Sequence, residues 1–432
     1  MQFIKKHPLL TIFIIGFLIR LSLIFIDFGV DVNNHISWSH DAFTRGLSGL
    51  YETKSQETFC CDYPNYPPLA ILIFLPFYLL RLFIFNFFWQ INLKLSFFPS
   101  KIILFMEKRS FIAGLFKLPA IFFDLGLAYL CYLFARQLFP KDKRKHFLAA
   151  ALILLHPVFF YNSAFWGQIE AIPIFFLMAA VYLLMFSKHN YLSITFYIFA
   201  LLVKPTVLVG LPIFTIFYVK KFGLSKALKA FLFGNVIFCL FFLPFYKSGN
   251  LFLFPYQTYS QKVISAQSIN FITNSAFNFW AVFKEVMKGK DTLLFLGPLS
   301  YRTIGYLLTA LFSVIILLQF NRKNNVIVFL FQSSLFFFTA FLFLTRMHER
   351  YLIYALPFLL FMALKDRGIM KYFLIISTTI FINMYYSWPV PKIQLLYQTI
   401  RVPLVISFLS LINLFVYASF LRKMLQPVKQ EK

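Results

Sequence analysis

The sequence predicts an all-α integral membrane protein, and three observations carry that expectation. Hydrophobic residues make up 60% of the 432 and charged residues only 13%, too few charges to cover a surface facing water. Apolar runs follow one another along almost the whole chain, and short basic clusters recur between them as in cytoplasmic loops. At roughly 20 apolar residues per crossing plus a connector, the length holds about 12 transmembrane helices in one polytopic domain and no sizeable soluble domain.

Thirteen apolar segments can be drawn, at about 8 to 27, 67 to 92, 117 to 136, 147 to 163, 171 to 187, 191 to 203, 205 to 219, 228 to 245, 301 to 319, 326 to 344, 351 to 364, 369 to 384 and 401 to 421. Basic clusters fall at Lys5/Lys6, Lys141 to Lys145, Lys188, Lys220 to Lys229, Arg322/Lys323, Lys365/Arg367 and Arg422/Lys423. From the third segment onward they recur after every second crossing, so all are cytoplasmic together if both termini are inside. That parity needs an even number of crossings. Segment 67 to 92 opens on Pro67-Pro68 and carries Arg81 and Asn86, so it is expected to lie in or re-enter the outer interface rather than span. The apolar start at 8 to 27 has no small-residue cleavage site and reads as a first helix.

This topology leaves extracytoplasmic stretches at 28 to 116, with interfacial helices, 246 to 300 and 385 to 400, and turns at 164 to 170 and 345 to 350. Five of the 15 acids, Asp31, Asp41, Glu52, Glu57 and Asp62, lie in the loop after the first helix, before segment 67 to 92. The net charge of +26 sits in small loop clusters rather than a stripe with interleaved polar residues, so it reads as topology and not as a nucleic-acid surface. Cys60 and Cys61 are adjacent and would bridge only with strain, while Cys131 and Cys239 sit in apolar runs.

Chemistry is expected first at Asp31, a few residues beyond the first helix. A carboxylate at the membrane boundary, partly desolvated yet reachable from outside, suits a base that takes a proton from a substrate hydroxyl; read as structure alone, it is a solvated helix-end carboxylate. His35 and Trp38 follow, then Gly49-Leu50-Tyr51 and Tyr66-Pro67-Pro68-Leu69, where the prolines hold Tyr66 in a rigid turn. An Asp after helix 1, a Trp seven residues on, a Gly-x-Tyr and then Tyr-Pro-Pro-Leu resemble the first extracytoplasmic loop of the GT-C superfamily. Those are multi-pass glycosyltransferases that use lipid-phosphate sugars, among them the glucosyltransferases and mannosyltransferases of N-glycan assembly and their bacterial relatives.

A second signal is Thr345-Arg346-Met347-His348-Glu349-Arg350-Tyr351, four ionisable residues between two apolar runs. Such charges at a membrane boundary are costly unless they meet opposite charge or a ligand. The planar fork of arginine fits a phosphate; an ion-paired turn, with Glu349 neutralising one arginine, is the structural alternative. The motif resembles the His-Glu-Arg/Lys turn of the same superfamily, which implies that Arg346, His348 and Arg350 bind the donor phosphate. It also implies that they lie near Asp31. A third signal, Trp166-Gly167-Gln168-Ile169-Glu170, resembles the Trp-Gly-Gln-x-Asp turn of bacterial members, with Glu170 replacing the usual Asp. Trp166 offers a flat face for a sugar ring, and Gln168 and Glu170 offer hydroxyl partners; interfacial anchoring with polar helix caps is the alternative.

Arg20, Lys117 and Asp124 sit inside apolar runs, Lys117 and Asp124 seven apart on one helical face, and are expected to form structural ion pairs between helices. Lys204-Pro205 marks a break between two helices, with a charge available to lipid phosphate. The chain has no Walker A loop, no Gly-x-Gly-x-x-Gly, no Asp-x-Asp and no zinc-type Cys/His spacing. No cofactor or metal is expected. The resemblance thus implies an inverting hexosyltransferase moving mannose or glucose from a polyprenyl-phosphate donor to a lipid-linked or cell-surface glycan, with Asp31 as base and Trp38, Tyr66, Trp166, Gln168 and Glu170 around the substrate. The membrane is expected to be a bacterial plasma membrane, with the endoplasmic reticulum as alternative. The rival class is a lipid or polysaccharide flippase, which should show charges and broken helices near the bilayer midplane in paired halves.

Overall fold

The computed structural model describes residues 6–56, 63–266, 269–283, 285–319 and 325–426. Glu57, Asp62, Cys60, Cys61, Lys5 and the Arg322/Lys323 cluster lie outside the described residues. The chain divides into two compact units. The first comprises Met1–Leu133, Ala150–Leu208 and Tyr218–Gln267, and the second Phe134–Ala149, Val209–Phe217 and Ser268–Lys432. Most of it is helix; among the described residues the only paired strands are the short hairpin β1 (Leu294–Leu296) and β2 (Leu299–Ser300).

The helices in chain order are α1 (Pro8–Leu23), α2 (Val30–Arg45), α3 (Pro68–Lys94), α4 (Ser100–Glu107), α5 (Arg109–Leu138), α6 (Lys143–Trp166), α7 (Ala171–Phe186), α8 (Asn190–Val203), α9 (Pro205–Phe222) and α10 (Leu224–Phe245). They continue as α11 (Tyr301–Leu318), α12 (Val326–Phe343), α13 (Tyr351–Lys365), α14 (Arg367–Ser387), α15 (Gln394–Ile400) and α16 (Pro403–Leu425). Each of the thirteen apolar segments falls on one of these helices. Among the described residues nine (α3, α5, α6, α9, α10, α11, α12, α14 and α16) are long and apolar enough to cross a membrane, while α1, α7, α8 and α13 are shorter. This is a multi-pass membrane protein.

Segment 67 to 92 forms a single long helix. Arg81 and Asn86 do not interrupt it, and α3 runs unbroken for 27 residues through Pro76, which at 1.5 Å per residue is about 40 Å. It is long and apolar enough to cross a membrane. Helix α2 packs inside the first unit. Ten of its 16 residues are buried, and Val32, Ile36 and Trp38 pack with Tyr66, Phe74 and Phe116 in the core of the first unit. It is an internal helix of the protein rather than one that merely rests on lipid.

Buried charges tie the first unit together. Arg20 on α1 donates through Nε to Asp124 Oδ2 on α5 at 2.9 Å and through Nη1 to the carbonyl of Leu154 at 2.7 Å, and Ser163 Oγ donates to the same carboxylate at 2.5 Å. The expected pairing between helices is present. Lys117, however, does not join it: its Nζ donates to the carbonyls of Ile24 at 2.9 Å, Phe165 at 2.8 Å and Asp27. These are chain ends of α1 and α6 whose carbonyls lack helical partners. Lys204 ends α8 in an extended conformation before a 3-10 turn, Pro205–Gly210, which is the expected break.

In the second unit α12 is the central element, with 16 of its 18 residues buried. The Asn-rich stretch before α11 has a structural role. Asn383 of α14 donates to the carbonyl of Ser275 at 2.6 Å and accepts from the amide of Phe277 at 2.9 Å, and Asn413 of α16 donates to the carbonyl of Phe277 at 2.8 Å. An irregular backbone buried among apolar helices needs such partners.

The Arg20 pair yields a stability prediction. Arg20→Met leaves the Asp124 carboxylate uncompensated in the interior and should cost ~3–5 kcal/mol, while Arg20→Met combined with Asp124→Leu should recover at least half of that. Thermal unfolding of the detergent-solubilised variants checks it; a single variant as stable as the parent would refute it.

Candidate active site

The first cluster is built on one face of α2. Asp31, His35 and Trp38 are spaced i, i+4, i+7 and therefore line one side of the helix. Gly29 caps its start, and the Gly29 amide donates to the carbonyl of Trp166 at 2.7 Å. A Cβ at Gly29 would lie 2.5 Å from Trp166 Nε1, so only glycine allows that approach. Gly167 is left-handed (φ 86°), and a Cβ there would lie 2.4 Å from Val32 Cγ2. The 166 to 170 turn is thus seated against the first turn of α2, where the unpaired N–H groups of a helix start favour a carboxylate such as Asp31.

His35 is the least expected member. It is 2% exposed, stacked on Phe74 at 4.1 Å between ring centroids and met edge-on by Tyr66 at 4.9 Å and Trp38 at 5.5 Å. Neither of its nitrogens, nor Trp38 Nε1, makes a hydrogen bond among the described residues. Burial pushes the imidazole down to about 4, despite the opposing pull of the Asp31 carboxylate; Lys204 lowers it further and Glu170 raises it. The ring is neutral at ordinary pH, with one donor and one acceptor. Glu170 and Lys204 form a fully buried ion pair, Oε1 to Nζ 2.5 Å, and the same ammonium lies 5.6 Å from the Tyr66 ring centroid. Tyr66 is fixed from behind, its carbonyl accepting from the Tyr51 hydroxyl at 2.7 Å.

Trp38, Tyr66, Trp166, Gln168 and Glu170 are all buried, between 0% and 6% exposed. Trp166 packs on Gly29 and Glu170 pairs with Lys204. Asp31 is the partly exposed member. Lys204, expected to be available to lipid phosphate, is the counter-ion of Glu170.

The second cluster, in the other unit, surrounds the turn before α13. Arg346 has a left-handed backbone (φ 64°), an unusual conformation for a non-glycine residue. Its Nε bonds Asp291 Oδ2 at 2.6 Å, Arg302 donates two bonds to the same carboxylate at 2.8 and 2.9 Å, and the Thr345 hydroxyl adds another at 3.1 Å. Arg350 Nη1 pairs with Glu349 Oε1 at 2.5 Å, the structural alternative named above. His348 Nδ1 lies 3.8 Å from the other Glu349 oxygen. Burial alone would raise both acids, yet hydrogen bonds and charge from Arg302 and Arg346 hold Asp291 at about 2, and Arg350 and His348 do the same for Glu349. Two guanidinium groups on Asp291 leave one positive charge in excess. Arg346 and His348 remain partly accessible, with 24% and 19% of their side chains exposed. Among the described residues no three His, Cys, Asp or Glu side chains converge as a metal ion requires.

The structure thus groups Asp31, Trp38, Tyr66, Trp166, Gln168 and Glu170 in the first unit, and Arg346, His348 and Arg350 in the second. Sequence reasoning did not assign His35, Lys204 or Asp291 to these clusters. Two of them leave a trace: Glu170 is the sole acid between Asp142 and Glu285, and Asp291 the sole one between Glu285 and Glu349, so a basic residue buried near either has one chain-local partner to find. The chain matches no protein-family model and no curated protein sequence.

The His35 environment predicts a pH dependence. Its folded pKa lies below the unfolded value of 6.5, so between the two the unfolded state binds more protons and stability falls as pH drops from about 6.5 through about 4. The shift corresponds to ~3 kcal/mol. His35→Phe, which keeps a ring against Phe74, should lose that much less stability than the parent between pH 7.5 and 4; equal losses in urea-unfolding profiles would show that His35 is not the titrating group.

Proposed function

We propose that this protein is an inverting glycosyltransferase of GT-C type, moving a hexose from a polyprenyl-phosphate donor to a glycan or lipid-linked hydroxyl on the extracytoplasmic face of the membrane. The observation that carries the reading is Asp31: a partly exposed carboxylate at the start of α2, on one face with His35 and Trp38 and backed by the buried Glu170 and Lys204. The resemblance of the first loop and of the 166 to 170 and 346 to 350 turns to that superfamily supports it. In this mechanism the acceptor oxygen attacks the anomeric carbon while its proton passes to Asp31. The bond from that carbon to the phosphate oxygen breaks, and the polyprenyl phosphate leaves with the electron pair from the opposite face. The resemblance gives the stabilising of that leaving group to Arg346, His348 and Arg350.

Asp31→Asn keeps the shape and removes the base, so transfer should fall at least about a hundredfold with the thermal midpoint unchanged. The assay is release of polyprenyl phosphate from polyprenyl-phosphate hexose by purified protein in detergent, where no second compartment exists. Near-parent turnover in Asp31→Asn would remove it from the mechanism, and a parent protein that leaves the lipid chemically intact would favour a flippase.

Arg350 is tested against its own ion pair. Arg350→Ala strands the buried Glu349 carboxylate and should lower stability, which Arg350→Ala with Glu349→Ala should restore. If Arg350 also holds the donor phosphate, the stable double variant should still use donor about thirtyfold less well, equivalent to about 2 kcal/mol. Recovery of both stability and donor use in the double variant would make Arg350 purely structural.

A further inference from the structure

A basic pocket lies at the other set of helix ends in the first unit. It has a volume of about 770 Å³ and is walled by Lys188, Lys221, Lys226 and Lys229 together with Tyr191 and Phe222. Two clusters far apart in sequence, Lys188 and Lys220 to Lys229, both assigned to the cytoplasmic side by the charge rule, are thereby gathered into one concavity. The end of α7, the start of α8, the end of α9 and the start of α10 all contribute to it.

The four lysines are not equivalent. Lys221 Nζ donates to the carbonyls of Leu184, Met185 and Ser187, at 2.5 to 3.1 Å, and so closes the end of α7. Among the described residues Lys188, Lys226 and Lys229 form no ion pair, and the chain carries no Asp or Glu anywhere between Glu170 and Glu285. The starts of α8 and α10, preceded by His189 and Gly223, have no side-chain cap, and uncapped helix starts direct N–H groups at an anion. From the pocket an apolar ridge runs along α10: Leu224, Leu228, Leu232, Val236 and Leu240, spaced by four, are each at least half exposed. A site with concentrated positive charge at one end and an exposed aliphatic face at the other matches an amphiphile with an anionic head.

We propose that this pocket binds the headgroup phosphate of an anionic phospholipid, its acyl chains lying along the exposed ridge of α10. The lysines supply the charge, the uncapped helix starts supply directional donors, and the ridge selects a lipid over a free ion. The site is independent of Asp31 and of the arginine turn.

The test uses full-length protein in neutral detergent with phosphatidylglycerol, phosphatidylcholine or inorganic phosphate, read by native mass spectrometry and by the thermal midpoint. Phosphatidylglycerol should be retained at least fivefold over phosphatidylcholine. Lys188→Gln/Lys226→Gln/Lys229→Gln should abolish that preference without shifting the lipid-free midpoint, while Lys141→Gln/Lys143→Gln/Arg144→Gln, an equal loss of exposed charge elsewhere, should keep it. Equal retention in the pocket variant, or equal loss in the control, would overturn the proposal. So would inorganic phosphate at millimolar concentration displacing the lipid and raising the midpoint as much, which would make the ligand a free phosphate.

Discussion

The ion pair of Arg20 and Asp124 states the constraint under which the whole molecule is built. A guanidinium and a carboxylate, both essentially buried, are tolerable in an apolar interior only because each satisfies the other. With 15 acids against 41 lysines and arginines, carboxylates are the scarce partner. The buried ones are each committed: Asp41 to Arg45, Asp124 to Arg20, Glu170 to Lys204, Asp291 to Arg302 and Arg346, Glu349 to Arg350. Where no acid is at hand, carbonyls at helix ends take its place, as they do for Lys117 and Lys221. Most of the remaining basic residues stay in loops and helix ends, where lipid phosphate and water are their counterparts, Arg81 midway along α3 being an exception.

The same scarcity shapes the candidate chemistry. A carboxylate already hydrogen-bonded to arginine, such as Asp291 or Glu349, is a poor proton acceptor because the charge it would neutralise is already used. Asp31 is more exposed than either of these, and its neighbour His35 is held neutral by burial rather than by a partner. The cluster behind Asp31 is therefore a low-dielectric wall with one buried ion pair and two unsatisfied N–H-bearing rings. In such surroundings polar groups act strongly on whatever approaches.

The apolar runs were legible because lipid acts as a uniform solvent: thirteen segments became thirteen helices, and the break at Lys204-Pro205 and the pairing of Arg20 with Asp124 followed from the cost of intramembrane charge. Pro68 to Lys94 shows how far a hydropathy trace and a helix backbone can part. Arg81 and Asn86 interrupt a hydropathy trace but not a helix backbone, since neither removes a backbone donor as proline does. The clusters were only half legible. Asp31, Trp38, Tyr66 and the two turns announce themselves as unusual residues at helix ends, whereas the pairs Glu170 with Lys204 and Asp291 with Arg346 depend on tertiary approach across 34 and 55 residues, which no local period encodes.

What the 166 to 170 turn does physically also differs from what its residue types propose on their own. A tryptophan beside a glycine at a membrane boundary reads as a surface for a flat ligand. Buried, with its carbonyl accepting from Gly29 and its indole filling the space a Cβ would need, Trp166 also fixes the entry angle of α2. Gly167 lets the turn close on Val32, and Lys117 gathers the carbonyls on either side. The turn therefore bears on Asp31 at one remove: it sets the position of the helix start from which that carboxylate projects. A base at a membrane boundary is useful only if its reach is fixed to within a fraction of an ångström, and on a helix preceded by glycine that fixity has to come from the packing around it.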